Sequence, residues 1–389
     1  MFEKPLGMRD TLPDLYKRKG AVRAKIGKEM TNWGYQFIET PTLEYYETVG
    51  TASAILDQQL FKLLDQQGHT LVLRPDMTAP IARVAASRLL KEDLPIRLAY
   101  SANVFRAQQR EGGRPAEFEQ IGVECIGDYT ISADAEGIAL TIQSLQAIGL
   151  EDFALSIGHI GFVRTFFRAI LGTKERVEAL IKYLYEKNYV GYREHVKSLS
   201  LSSIDKQRLL DFLKLRGKAE VLEFAYCLLE NDFGKESLQQ LQQLWEMMAD
   251  YRLEDKCSFD LTLVSHMSYY TGIVFEVYAD KVGFPIGSGG RYDFLLEKFG
   301  KTTGATGFAL RVDRLIAALK EDSENEPISC ILFSQERRRE AFQQAKKERS
   351  KGKKVVLQDI NGVKDIDKCT SQYENITFLV GNAGKELVK

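Results

Sequence analysis

Apolar side chains at Val22, Ile26 and Met30 recur every fourth position, so Lys17 to Trp33 is expected to form an amphipathic helix. Gly34 to Pro41 reads as an extended segment ended by proline, which cannot donate to a sheet ladder and so marks an edge, a strand end or an interface. Leu60–Leu64 and Leu71–Leu73 flank Gln66-Gln67-Gly68-His69, a hairpin pattern. Thr78 to Leu90 has helical period. Ile96–Arg106 and Ala116–Gly127 predict two long strands joined by the polar loop Ala107–Pro115. Ser132–Gly149 is again helical, and Phe153–Gly158 is a short strand. From about Thr165 to Tyr251 the pattern is helix alone, through Val177–Tyr185, Lys206–Leu215, Ala219–Glu230 and Ser237–Ala249. Strands return at Cys257–Leu263, Ile273–Ala279 and Pro285–Ser288. After the acidic linker Glu321–Glu326, strands (Ile328–Phe333, Lys354–Gln358, Ile376–Val380) alternate with helices (Arg337–Ser350, Val363–Tyr373), the pattern of a small parallel α/β domain.

Composition narrows the functional classes. The 389 residues suffice for two or three domains, and 53 Lys+Arg against 54 Asp+Glu leave a net charge of −1. Nothing in that balance argues for the basic face a bound polyanion would want. The five cysteines (positions 125, 227, 257, 330 and 369) form no C-x-x-C pair, so neither a zinc site nor a disulfide framework is expected. Met1 to Asp14 lacks the apolar core of a signal peptide, and no apolar run is long enough to span a bilayer. The expectation is a soluble cytoplasmic protein without metal or cofactor.

Candidate chemistry lies in Phe118 to Cys125. Strand alternation puts Ile121, Val123 and Cys125 on one face and Gln120, Gly122 and Glu124 on the other. An amide and a carboxylate either side of a glycine gap suit a ligand cleft, although an ordinary solvated strand face has the same pattern. A carboxylate such as Glu124 accepts from an N–H or cationic donor, and the amide of Gln120 adds direction. Arg106 has the fork geometry to hold a carboxylate. Asp76 and Thr78 are either ligand groups or an N-cap for the helix that follows; Arg106 and Arg114 are either ligand groups or surface charge.

Several motifs carry a resemblance to histidyl-tRNA synthetases. Tyr269-Tyr270 followed by Phe275-Glu276 resembles that family's histidine-recognition signature, but Ser265-His266-Met267-Ser268 stand where it has Arg-Gly-Leu-Asp. Phe118 to Cys125 resembles motif 2, whose matching Gln and Glu bind the substrate's amino group and imidazole. Arg74-Pro75-Asp76-Met77-Thr78 resembles Arg-Pro-Glu-Gly-Thr, and Phe105-Arg106-Ala107-Gln108 resembles Phe-Arg-x-Glu. Gly113-Arg114 match the motif 2 loop, while Ala116 stands for a second arginine. Gly289-Gly290-Arg291-Tyr292-Asp293 and Gly304 to Arg314 follow motif 3, with Arg314 matching the arginine that stacks on ATP. Arg311 replaces the glycine under the adenosine, where a side chain costs the backbone its close approach.

The resemblance implies an α+β fold, a class II aminoacyl-tRNA synthetase-like antiparallel sheet flanked by helices. The core would span residues 1–164 and 252–320, with a helical insertion at 165–251 and a small C-terminal α/β domain at 327–389. It implies a histidine pocket of Asp76, Thr78, Arg106, Gln120, Glu124, Tyr269 and Tyr270, and a residual phosphate or nucleotide pocket of Arg114, Arg311 and Arg314. The amino-acid side is retained while the activation side is altered at Ser265, Gln108, Ala116 and Arg311. That combination is similar to the non-catalytic paralogues that regulate ATP phosphoribosyltransferase, the first step of histidine biosynthesis. No catalytic residue is then expected. The implied partners are a short-form catalytic subunit, a second copy of the chain through the motif 1 strand, and L-histidine as effector, with no role for tRNA. The alternatives are a divergent histidyl-tRNA synthetase and a free-standing histidine sensor.

Overall fold

The computed structural model describes residues 3–90, 95–107, 115–229, 232, 234–265, 269–320 and 327–381. They divide into two compact units, Met1–Leu319 and Lys320–Lys389.

The first unit opens with α1 (Pro13–Asn32), the edge strand β1 (Gln36–Phe37), and a small sheet of β2 (Leu43–Tyr45), β3 (Lys62–Leu64) and β4 (Thr70–Leu73). Next come α2 (Thr78–Val84), continued by a wider helical turn over Ala85–Leu89, the long antiparallel pair β5 (Ile96–Phe105) and β6 (Glu117–Ile126), then α3 (Ile131–Ala147) and β7 (Phe153–His159). The helical stretch is α4 (Ile160–Leu171), α5 (Lys174–Tyr185), α6 (Tyr189–Ser198) and α7 (Ser203–Phe212), then a two-residue strand β8 (Arg216–Gly217), α8 (Glu220–Cys227) and α9 (Lys235–Asp250). The main sheet is completed by β9 (Cys257–Asp260), β10 (Ile273–Ala279), β11 (Gly287–Tyr292) and β12 (Ala305–Arg311), and α10 (Val312–Ala318) follows.

Nine strands form the main sheet in the order β1-β5-β6-β12-β11-β10-β7-β9-β8. The α+β reading holds, but the sheet is mixed, because β1 pairs parallel to β5 and β7 parallel to β9. Alternation gives its central strands two unlike faces. Ala99, Ile121, Val123, Cys125, Phe308 and Leu310 join Val22, Ile26 and Met30 of α1 and the apolar side of α3 in the larger core. Leu98, Tyr100, Val104 and Phe118 point the other way and pack with Ala79, Ile81 and Ala82 of α2. Each fully buried aliphatic side chain in these cores contributes roughly 1.5–3 kcal/mol relative to its exposed state.

The helices α4 to α9 share the larger core with the sheet. Phe162, Phe166, Phe167 and Phe212 stack among themselves and belong to the same cluster as Leu155, Ile157 and Phe259. Hydrogen-bonding caps set four of the helix starts, with His159, Thr173, Asn188 and Ser202 accepting from the backbone of Phe162, Arg176, Gly191 and Asp205.

The second unit is a parallel three-stranded sheet of β13 (Ile328–Phe333), β14 (Lys354–Asp359) and β15 (Asn375–Leu379), ordered β14-β13-β15, with helices α11 (Arg338–Ser350) and α12 (Ile366–Thr370). Its core is Ile331, Phe333, Ala341, Ala345, Val355 and Leu379. The helix expected from Val363 to Tyr373 is shorter, because Asp365 caps it by accepting from Lys368 N.

Candidate functional site

The face expected to line a cleft is built by β6 and its two neighbours. In register, Gln120, Gly122 and Glu124 stand beside Ala102, Tyr100 and Leu98 of β5 and beside Arg311, Ala309 and Gly307 of β12. Two positions tolerate only glycine for reasons of space. A Cβ on Gly122 would lie 2.1 Å from the Phe308 carbonyl oxygen and 2.6 Å from the Tyr100 hydroxyl, and one on Gly307 would lie 2.1 Å from Glu124 Oε2. The bare backbone at Gly307 is therefore what lets the Glu124 carboxylate lie across β12.

Glu124 is the buried centre of the site. Its Oε1 accepts from the Thr78 hydroxyl at 2.7 Å and its Oε2 accepts from the Tyr292 hydroxyl. Desolvation pushes its carboxyl up to about 7, a rise that the two hydrogen bonds oppose and nearby Asp76 reinforces. Asp76 accepts from the Ser53 hydroxyl and, at 2.9 Å, from Ala79 N, so it caps the first turn of α2 while lying beside the cleft.

Three tyrosines form a wall. The Tyr269 ring meets Tyr270 at 5.1 Å and Tyr292 at 5.5 Å between centroids, both edge to face. Burial pushes the phenols of Tyr269, Tyr270, Tyr292 and Tyr100 upward, so all four keep their protons near neutrality. Gln120 is 8 % exposed, and among the described residues nothing donates to its Oε1. A buried acceptor of that kind has capacity for one more hydrogen bond, from a water or a bound molecule.

Of the cations, Arg106 donates from Nε to the Pro75 carbonyl at 2.8 Å and lies 5.3 Å from the Phe118 ring centroid. Burial lowers its pKa, and Asp76 opposes that shift. Arg311 sits on the same ring and pairs with Asp313 at 3.2 Å. Arg314 donates to the Pro285 carbonyl and lies 5.3 Å from the Phe284 ring. Arg291 turns away from the cleft into a buried pair with Asp134 at 2.9 Å and donates to the carbonyls of Asp128 and Thr130. Arg114 and Gln108 lie outside the described residues, as do His266, Met267 and Ser268.

The structure therefore gathers Asp76, Thr78, Glu124, Tyr269 and Tyr270 around one carboxylate, with Gln120 and Arg106 along the same floor. It adds Tyr292, Tyr100 and Ser53, to which sequence reasoning gave no role. Tyr292 was visible inside Gly-Gly-Arg-Tyr-Asp, while Ser53 carries no local signal. Among the described residues no cluster of three His, Cys, Asp or Glu groups could hold a metal ion, and no helix is long and apolar enough to cross a membrane.

Comparison with known proteins places the chain among its relatives. The family profile described as histidyl-tRNA synthetase matches residues 7–315, and the one described as histidyl-tRNA synthetase HisZ, C-terminal domain, matches residues 330–381. A protein of Geobacillus sp. (strain WCH70) named ATP phosphoribosyltransferase regulatory subunit is 62% identical, the match covering 99% of this chain and 98% of that one. The protein of that name from Bacillus subtilis (strain 168) is 58% identical, with 99% of each covered. A crystal structure from Bacillus halodurans, described as an ATP phosphoribosyltransferase regulatory subunit/histidyl-tRNA synthetase, is 55% identical with a TM-score of 0.93, covering 98% of this chain and 99% of that one. The histidyl-tRNA synthetase of Nostoc sp. PCC 7120, 20% identical, has the same fold with a TM-score of 0.80 over 96% of this chain and 89% of its own.

Proposed function

The chain belongs to the histidyl-tRNA synthetase family, alongside relatives named ATP phosphoribosyltransferase regulatory subunit, and from that premise we propose that it is the non-catalytic, histidine-sensing subunit of an ATP phosphoribosyltransferase. The observation that carries the reading is the buried Glu124 carboxylate, held by Thr78 and Tyr292 beneath a tyrosine wall. Each carboxylate oxygen accepts more than one hydrogen bond, so the imidazole of L-histidine donates to Glu124 without displacing either hydroxyl. The ammonium group donates to Gln120 Oε1 and Asp76, and the carboxylate pairs with Arg106.

The activation chemistry of a synthetase has no counterpart in this proposal. Ser265 stands where the family places the arginine of its signature, and an uncharged hydroxyl does not neutralise a developing negative charge. The chain then acts by population shift: histidine binds one state of the hetero-oligomer better than another and inhibits by that difference. The proposed partners are a short-form catalytic subunit and a second copy of the chain. Support for the second copy comes from the edge strand β1, where Phe37 is exposed, and from exposed Leu43 and Tyr45 on β2. No tRNA and no membrane enters this scheme, which is set in the cytoplasm.

The test is to mix the chain with the short catalytic subunit and follow phosphoribosyl transfer to ATP with and without histidine. Activity should appear only in the mixture and fall when histidine is added. Absence of a complex, together with histidine-dependent exchange between pyrophosphate and ATP by this chain alone, would replace the proposal with a working synthetase.

A further inference from the structure

The stretch from Arg337 to Lys354 holds nine Arg and Lys against two Glu, a net of +7 in a chain whose net charge is −1. The rest of the chain therefore carries −8. Helix α11 covers most of this basic stretch and divides it by face. Ala341 and Ala345 are fully buried in the core of the second unit. On the other side Arg338, Arg339, Phe342, Gln343 and Lys346 are exposed and line a groove of about 600 Å³. Both carboxylates of the stretch are engaged elsewhere, Glu340 by Arg337 at 2.7 Å and Glu348 by Lys351 and Lys353 at 2.8 and 2.7 Å. Arg338 donates to the Gln335 side-chain oxygen at 3.4 Å, and neither it nor Arg339 nor Lys346 has an acidic partner among the described residues. The Phe342 ring is half exposed and lies outside the buried cluster of this unit. Buried Phe333 holds it edge to face at 5.6 Å between centroids.

Aromatic and Arg side chains are the ones enriched where proteins meet, and here a steadied ring stands among cations that no carboxylate of the stretch neutralises. The complement of such a face is a carboxylate-rich segment that also offers an apolar side chain. A polypeptide supplies both within one turn of helix. A nucleic acid supplies a long run of phosphates, which the −8 of the remaining chain would repel. We infer that this face of α11 docks an acidic segment of the short catalytic subunit, with Phe342 as the apolar anchor and Arg338, Arg339 and Lys346 as the charges that steer and orient it. The identity of that partner rests on the proposed function, and its acidity on the surface itself.

Calorimetric titration of the full-length chain with the catalytic subunit tests this. The double charge reversal R338E/K346E should weaken the complex at least tenfold, and F342A should weaken it severalfold. Added salt should weaken the unaltered complex and leave the residual affinity of R338E/K346E nearly unchanged. The reversal R193E/K197E, at two exposed positions of α6, makes the same change in net charge and should leave the affinity as it was. All the substituted positions are exposed, and near-ultraviolet circular dichroism verifies that each variant is folded. The inference is overturned if a folded R338E/K346E binds the catalytic subunit as the unaltered chain does, or if R193E/K197E weakens the complex equally. It is also overturned if the unaltered chain binds a single-stranded RNA oligonucleotide, followed by fluorescence anisotropy, and R338E/K346E loses that binding while keeping the catalytic subunit. Failure of the unaltered chain to form any complex is a different result: it removes the proposed function, and the partner named here with it.

Discussion

Burial lifts the Glu124 carboxyl from its ordinary 4.5 to about 7. Between those two values the folded chain keeps a proton that the unfolded chain has released. The native state therefore binds more protons, and stability falls as pH rises through that window. Asp134, pushed up to about 6 by its own burial, acts in the same direction at lower pH. Replacing Glu124 by Gln keeps the shape and removes the titration. E124Q should therefore lose less stability than the parent between pH 5 and pH 8, by roughly 3 kcal/mol for a shift of this size. Urea midpoints at the two pH values decide it, and parallel pH profiles for the two proteins would refute the assignment. The same variant should bind histidine at least tenfold more weakly, since an amide does not offer two charged acceptors to the imidazole. Gly307→Ala attacks the same carboxylate sterically. Its methyl would lie 2.1 Å from Glu124 Oε2 and 2.3 Å from the Val123 carbonyl, so a loss of about 1–3 kcal/mol is expected in thermal melts, together with lost histidine affinity.

At the scale of elements, the strongly periodic segments were readable and the glycine-rich ones were not. The helix around Val22, Ile26 and Met30 and the long strands β5 and β6 follow from period alone, because one face of each is apolar. β12 escaped because Ala305, Gly307 and Ala309 give it almost no apolar side chain on the cleft face. β11 was expected to stop at Ser288, yet it runs to Tyr292 through two glycines whose bareness makes room for β10 and β12. The helix α6 has only Tyr192 and Val196 as buried positions, too few to show a period. The pocket residues became legible through the motifs they sit in, and the cross-strand contacts that join them are non-local. Arg291 illustrates the limit. The motif does not say which way its arginine points; the pleat sends it to α3, where Asp134 neutralises it and two carbonyls complete its fork. Asp134→Ala should leave that guanidinium buried without its counter-charge and cost about 3–5 kcal/mol in chemical denaturation. A cost below 1 kcal/mol would show that the pair is solvated, contrary to its burial.

For the molecule as a whole, the two units have separate cores. Every residue of the C-terminal cluster lies between Ile331 and Leu379, and neither large cluster of the first unit extends beyond Leu319. The site residues from Ser53 to Arg311 all belong to the first unit. A chain ending at Leu319 keeps both large cores and every group proposed to touch histidine. It should therefore fold cooperatively and bind histidine within about threefold of the full chain, a change of under ~1 kcal/mol. Near-ultraviolet circular dichroism and calorimetric titration check the two halves of that expectation. If the shortened chain folds but no longer binds, the C-terminal unit contributes to the site and the pocket described above is incomplete. If it folds, binds histidine and still activates the catalytic subunit, sensing and coupling both reside in the synthetase-like unit. If it binds histidine but no longer activates, effector recognition and partner coupling are divided between the two units, and the C-terminal sheet with its helix α11 becomes the element through which the population shift reaches the catalytic chain.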